Sequence, residues 1–459
     1  MKRFRAFVLA MLILFMCTAC KKETLPATQP GSAQTAAGET EQTVSGVSVR
    51  IPAAQYRLAR TEPEGMTVGA ALLPYSGGAI LTGSSFISSD EDEPARIEAA
   101  AYYTPEHACT VQELPISPDG LAVQAALAGE RLYYIESRQT SDGEQRLLHA
   151  DGQTLALDEA LSGVSNLTAM AVQDEELLLA ADGSCVLACA MDGTLLWKQP
   201  AAEINRFFRT QDGALLAWAK DEQMLYSIAD DKIQPLCQLP NLFRTGTEAL
   251  YPGENTPYDC LVFANDACFG WQIAENAVTQ LFACDTVGLY AADVEAFCGM
   301  GNGQYLGLEF YPSEDEAVQY RLFWLTPAEG DFSKKSLLRI AGSRSGIFSM
   351  AVRDFSSLYP EYQVEFIDYE AQYGEQADQQ LLMDLLYGDC PDLLFVNGLP
   401  FAQYARQGLL EDLYAWIDAD ETLSRADFTQ NLLHALETDD ALYRLPQTYM
   451  LATAAGLPE

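Results

Sequence analysis

A short apolar run recurs through the middle of the chain at a nearly constant interval. Arg131–Ile135 (RLYYI), Glu176–Ala180 (ELLLA), Ala214–Trp218 (ALLAW), Cys260–Ala264 (CLVFA) and Tyr305–Glu309 (YLGLE) follow one another at 45, 38, 46 and 45 residues. Ala79–Gly83 (AILTG) precedes the first by 52 residues and fits as an earlier, less regular member. Each five-residue run is too short for a helix and reads as a strand. Between the runs stand Asp-Gly pairs: Asp119-Gly120, Asp142-Gly143, Asp151-Gly152, Asp182-Gly183, Asp192-Gly193 and Asp212-Gly213. Such pairs favour tight hairpins, because the primed turns need positive φ. Several strands per unit at a period of about 40–45 residues are the pattern of propeller blades. Residues 51–331 are therefore expected to form a β-propeller, and six units would close a ring and hide the sheet edges. A pair of β-sandwiches is the alternative, and the repeat alone does not fix the blade number.

The ends of the chain read differently. Lys2, Arg3 and Arg5 precede the apolar run Ala6–Met16, which is too short to cross a bilayer of about 20 residues' span. Residues 1–19 have the form of a secretory signal. Cys17-Thr18-Ala19-Cys20 resembles a bacterial lipobox, which implies lipidation of Cys20 and anchoring at the extracytoplasmic face of the cell membrane. Cys17 stands where leucine is usual. Two acyl chains on Cys20 would suffice for stable anchoring. Residues 20–50 are rich in Thr, Gln, Gly, Ala and Ser and read as a disordered linker.

The chain holds 27 basic and 65 acidic residues, a net charge of −38, which disfavours nucleic acid as a partner. Only three histidines occur, His107, His149 and His434, far apart, so neither a zinc site nor any other cofactor is expected. Asp90–Glu93 lacks the spacing of a calcium loop. Cys185 and Cys189 fall on one strand, about 13 Å apart, and cannot pair with each other. Gly342-Ser343-Arg344-Ser345-Gly346 has arginine where a nucleophile elbow needs serine. No acid–base set emerges, and the expectation is that the protein is not an enzyme.

Residues 336–459 alternate strand and helix. Ser336–Ala341, Tyr362–Ile367 and Leu393–Val396 read as strands, with helical faces at Ile347, Ala351, Phe355, Leu358 and at Ala377, Leu381, Leu385. Two right-handed crossovers and a parallel sheet follow, with ligands expected at the carboxyl ends of the strands. The stretch GDCPDLLFVNGLPFAQYARQGLLEDLYAWID (Gly388–Asp418), followed by DDALYRLPQTYM (Asp439–Met450), resembles the amino-terminal lobe of extracellular solute-binding proteins of ABC importers, of the sugar-binding type. The resemblance covers Leu337–Leu457 and implies an incomplete doubly wound, periplasmic-binding-protein-like lobe, with the chain ending inside it. It implies capture of a small solute, an oligosaccharide, for a membrane permease. Ser343, Asp368, Asn397, Gln447 and Tyr449 stand where strands end and have chemistry suited to sugar hydroxyls, with Arg344 beside them. Ser424 and Asp427 have capping-box spacing, and Pro400 and Gly408 bracket a helix. Two rivals stand beside the importer reading. One is a surface sensing or interaction lipoprotein whose propeller binds a protein or cell-wall polymer. The other is a glycan-processing enzyme built on the propeller.

Overall fold

The computed structural model describes residues 33–34, 40–44, 47–51 and 56–445, except 65, 67, 88–94, 142, 245–247, 313–317, 329–335, 343–351, 353–354, 357–358, 360–361, 388–389, 396–398 and 421–422. It divides into two compact units, Ala27–Phe332 and one that includes Ser333–Glu459.

The first unit is a six-bladed β-propeller. Blades 1 to 4 are four-stranded antiparallel sheets built in chain order from residues 68–113, 120–156, 167–200 and 206–238. Blade 5 spans 249–283 and blade 6 spans 294–327. Blade 6 supplies only three strands of its own. Its outermost strand is Tyr56–Thr61, from the other end of the unit, antiparallel to Val318–Pro327 with Leu322↔Thr61 and Phe323↔Arg60 in register. The first strand of each blade neighbours that of the next, and Val294–Gly301 returns to Val68–Tyr75, so the ring is closed.

The recurring apolar runs are the second strands of the blades, Gly78–Ile87 in blade 1 among them. They are largely apolar because both faces are covered: Leu215–Ala219 and Cys260–Ala264 are buried at every position. The core is accordingly divided. One apolar cluster lies between each pair of adjacent blades, as in Ile135, Leu148, Leu177 and Leu187 between blades 2 and 3, or Phe263, Phe282, Phe297 and Phe323 between blades 5 and 6. Two β-sandwiches would instead put one core between each pair of facing sheets, which rules that alternative out. Asp151-Gly152, Asp182-Gly183, Asp192-Gly193 and Asp212-Gly213 lie at hairpin turns, Asp119-Gly120 leads into an inner strand instead, and Asp142 lies outside the described residues. Turns without glycine were harder to see: Asp174-Glu175, Asp230-Asp231 and Asn265-Asp266 all take positive φ.

Part of the segment read as a linker is folded. Thr40–Val44 and Val47–Ile51 form a hairpin, and the second strand pairs in parallel with the outer strand of blade 5 at Val278↔Val49 and Thr279↔Arg50. The reason is the β-branched alternation of Val47, Val49 and Ile51, which buries Val49 in the cluster between blades 4 and 5.

The second unit has a three-stranded parallel sheet in the order Tyr362–Ile367, Ser336–Ala341, Leu393–Leu394. Leu338, Ile340, Phe355 and Val364 fill one side of it. Ala341, Tyr369, Leu381 and Tyr404 fill the other. The third strand is two residues long rather than four, and Tyr443–Leu445 form no strand. A small hairpin, Glu437–Thr438 with Ala441–Leu442, stands in its own sheet. Ser424 and Asp427 make their capping box, but around the short 3-10 turn Arg425–Asp427; the helix carrying Leu432 and Leu436 starts afterwards at Gln430. No described helix is long and apolar enough to cross a membrane.

Candidate functional site

The inner strands of the propeller carry polar side chains that bridge consecutive blades. Gln124 Nε2 donates to the Leu167 carbonyl at 2.9 Å, Thr168 Oγ1 to the Ile204 carbonyl at 2.8 Å, and the Tyr251 hydroxyl to the Val294 carbonyl at 2.7 Å. Arg206 opens the inner strand of blade 4 in the same series and departs from it. Its guanidinium lies 4.6 Å from the centroid of the Tyr251 ring in the next blade. Burial pushes the guanidinium's pKa down, against a weaker opposing effect of Tyr251. Burial likewise pushes the Tyr251 phenol up to about 12.

At the opposite ends of the inner strands the loop after Ala249–Pro252 reaches across the ring. Asn255, held at φ 61°, donates through Nδ2 to the Tyr75 carbonyl of blade 1 at 2.8 Å and the Gly299 carbonyl of blade 6 at 3.2 Å. Asp259 accepts from the backbone amides of Gln211 at 2.8 Å and Ile273 at 2.7 Å, tying blade 4 to blade 5. Burial raises the pKa of the neighbouring Glu254 carboxyl, and its Oε2 has no hydrogen-bond partner among the described residues.

Other buried carboxylates are held in clasps. Arg60 pairs with Glu309, and Arg96 with Glu98 at 2.7 Å. His149 Nε2 and Glu136 Oε2 are 2.7 Å apart, with Glu136 Oε1 accepting from the Ser117 amide at 3.1 Å and the Tyr134 ring stacked on the imidazole. Burial alone would raise the Glu136 carboxyl, but the Ser117 hydroxyl and amide and His149 outweigh it, so its pKa falls below the usual range. Among the described residues no group of three or more His, Cys, Asp or Glu is arranged to hold a metal.

The rim presents something else. Leu195 and Leu196 on the outer strand of blade 3, and Leu236 on that of blade 4, are 43%, 46% and 48% exposed. The two strands are adjacent: Gln199 donates to the Asp231 carbonyl at 3.3 Å and accepts from the Ile233 amide at 3.0 Å.

Of the residues singled out from the sequence as ligand-binding, Asp368 lies among the described residues. Ser343, Arg344, Asn397, Gln447 and Tyr449 lie outside the described residues, as does Cys20. Asp368 follows the strand Tyr362–Ile367, and its carbonyl accepts from the Gln372 amide at 3.1 Å, opening the helix Tyr369–Tyr373. Gly342 does permit a close approach, but to the protein itself: a Cβ there would sit 2.2 Å from the Phe395 carbonyl oxygen. A shallow cleft of about 440 Å³, lined by Phe401, Gln403, Arg406, Tyr443 and Arg444, lies elsewhere in this unit and was not expected.

No family model matches the chain, and no curated protein matches it. Among solved structures, the virginiamycin B lyase of Staphylococcus aureus has 10% identity and a TM-score of 0.35, covering 60% of this chain and 100% of its own. A putative gluconolactonase gives 11% identity and a TM-score of 0.37, with 60% and 93% covered. A luciferin-regenerating enzyme gives 11% and 0.38, with 60% and 96% covered. These likenesses are too distant to bear on activity. They do correct one expectation. The three structures named are not solute-binding proteins, so the reading of this chain as a sugar-binding importer component in carbohydrate transport is set aside. The words that suggested it describe local structure: a helix-ending glycine such as Gly408, Pro400 before a helix, an apolar strand after Pro-Asp. Any parallel α/β segment uses them.

Proposed function

We propose that this protein is a binding component of the cell surface, held to the membrane through Cys20, whose propeller docks a partner protein and makes or breaks no bond. The observation that carries this reading is the rim of blades 3 and 4, where Leu195, Leu196 and Leu236 face solvent on adjacent outer strands. Exposed leucines on the outer strands of a strongly acidic protein cost solubility and suit an interaction surface. The same strands carry Lys198, Pro200, Lys232 and Pro235, residues that guard an edge against strand addition. A partner would therefore engage side chains rather than extend the sheet. Solubility of the long acidic chain favours a specific apolar contact over general charge attraction.

A photo-activated cross-linker placed at position 196 in the full chain, in the cells that make it, tests the reading. One protein should be captured from position 196 and lost when Leu195 and Leu236 are changed to Ser, with melting temperature unchanged. Capture that persists in that variant, or none above a control position on blade 1, would refute it.

A further inference from the structure

We propose that Arg206, on the inner strand of blade 4, forms a binding site for a small oxyanion, a carboxylate or phosphate group, at the centre of the ring. Each of the other buried or half-buried arginines described in the propeller has an acceptor: Arg60 faces Glu309, Arg146 faces Glu144, Arg321 faces Glu62, Arg138 bonds Gln145 and Ser117, and Arg209 bonds the Val172 and Gly213 carbonyls. Arg206 is the exception. Among the described residues it has no carboxylate partner and no hydrogen-bond acceptor, and the polar interaction it makes is with the face of Tyr251. A guanidinium carries five donors in a planar fork that matches carboxylate and phosphate oxygens in pairs. An aromatic face satisfies none of those donors.

The chain has 65 acidic residues against 27 basic ones, so an intramolecular carboxylate was abundantly available. Removing a cation from water without a counter-charge costs several kcal/mol in a protein interior, and burial already works against the charged form here. Tyr251 is fixed by its own bond to Val294, so the ring holds the guanidinium flat and leaves its donor edge unoccupied. Arg206 remains part-exposed, which keeps that edge open to solutes. The electrostatic field of the whole protein repels anions, so binding must come from this local geometry, and it will be specific to oxyanions rather than general. The site shares no residue with the rim of blades 3 and 4 and stands or falls separately from it.

The test uses the full chain at constant ionic strength, with benzoate, acetate and inorganic phosphate as probes and chloride as the background. Melting temperature and calorimetric binding are read for wild type, Arg206→Met and Arg206→Lys. At least one oxyanion should raise the wild-type melting temperature, and its affinity should fall at least about tenfold in Arg206→Met, the size expected for a charge-assisted pair. Arg206→Lys should bind more weakly than wild type and more tightly than Arg206→Met. Benzoate and acetate against phosphate tell which oxyanion is taken. Without added anion, Arg206→Met should melt no lower than wild type, because it removes an uncompensated charge. A lower melting temperature there would show that Arg206 serves only to pack on Tyr251. That result, or equal anion effects in all three proteins, would overturn the proposal; should Arg206→Met fail to fold, an unchanged affinity in Arg206→Lys would do the same.

Discussion

The ring is closed by one strand from its amino-terminal side, and a buried ion pair pins that strand inward. Arg60 lies on Tyr56–Thr61, and its Nη2 also donates to the Gly288 carbonyl at 2.7 Å. Its partner Glu309 lies on the second strand of blade 6 and is fully buried, while the Arg60 side chain is 12% exposed. Glu309→Ala leaves Arg60 facing a site built for a negative charge, and Arg60→Ala leaves a carboxylate with no water to solvate it. Each should cost about 3–5 kcal/mol, the range for breaking a buried pair from one side. The double variant Arg60→Met, Glu309→Leu should lose far less than the sum of its single changes, because neither charge is then stranded. Urea unfolding of the four proteins yields the coupling energy. Amide exchange gives a second reading, since Tyr56–Thr61 should open sooner than Glu176–Ala181 in either single variant. A coupling below about 0.5 kcal/mol would mean that the two sites act independently, and the clasp would not be what closes the ring.

Three further outcomes follow from the same structure. Gly342→Ala should unfold or badly destabilise the α/β unit, since φ is 144° and the new methyl would meet the Phe395 carbonyl at 2.2 Å; a soluble variant with wild-type circular dichroism would contradict this. Glu136 has a depressed pKa in the folded state, so its contribution is present above the ordinary glutamate value of about 4.3 and is lost as pH falls through the folded value. Unfolding free energy measured against pH should therefore drop more steeply below that value in wild type than in Glu136→Gln. Of the nine cysteines described, Cys109, Cys237 and Cys390 are part-exposed and the others are buried, with burial pushing Cys189 up to about 11. Mass spectrometry after iodoacetamide should find at most these three of the nine modified before unfolding.

What was legible in the chain was whatever repeats locally. The second strand of each blade is buried on both sides by its neighbours, so it is written as a largely apolar run, and its spacing pointed to both the propeller and its period. Ring closure left no such trace. Tyr56–Thr61 alternates half-buried and exposed positions, and the partner of Arg60 lies 249 residues further on. Nothing in YRLART distinguishes it from an ordinary surface strand. The hairpin at Thr40–Ile51 was hidden by its polar composition, although Ser45-Gly46 between Val44 and Val47 is a turn signal that a search by alternation would have found. Arg206 was unreadable for a different reason. Its environment is made by Tyr251, a blade away, and no window of sequence contains both. The α/β segment shows the converse failure: the strands Ser336–Ala341 and Tyr362–Ile367 and the helix between Pro400 and Gly408 were legible, yet the family drawn from them was wrong, because caps, turns and short buried strands report how a chain folds locally and not what the fold was selected to hold.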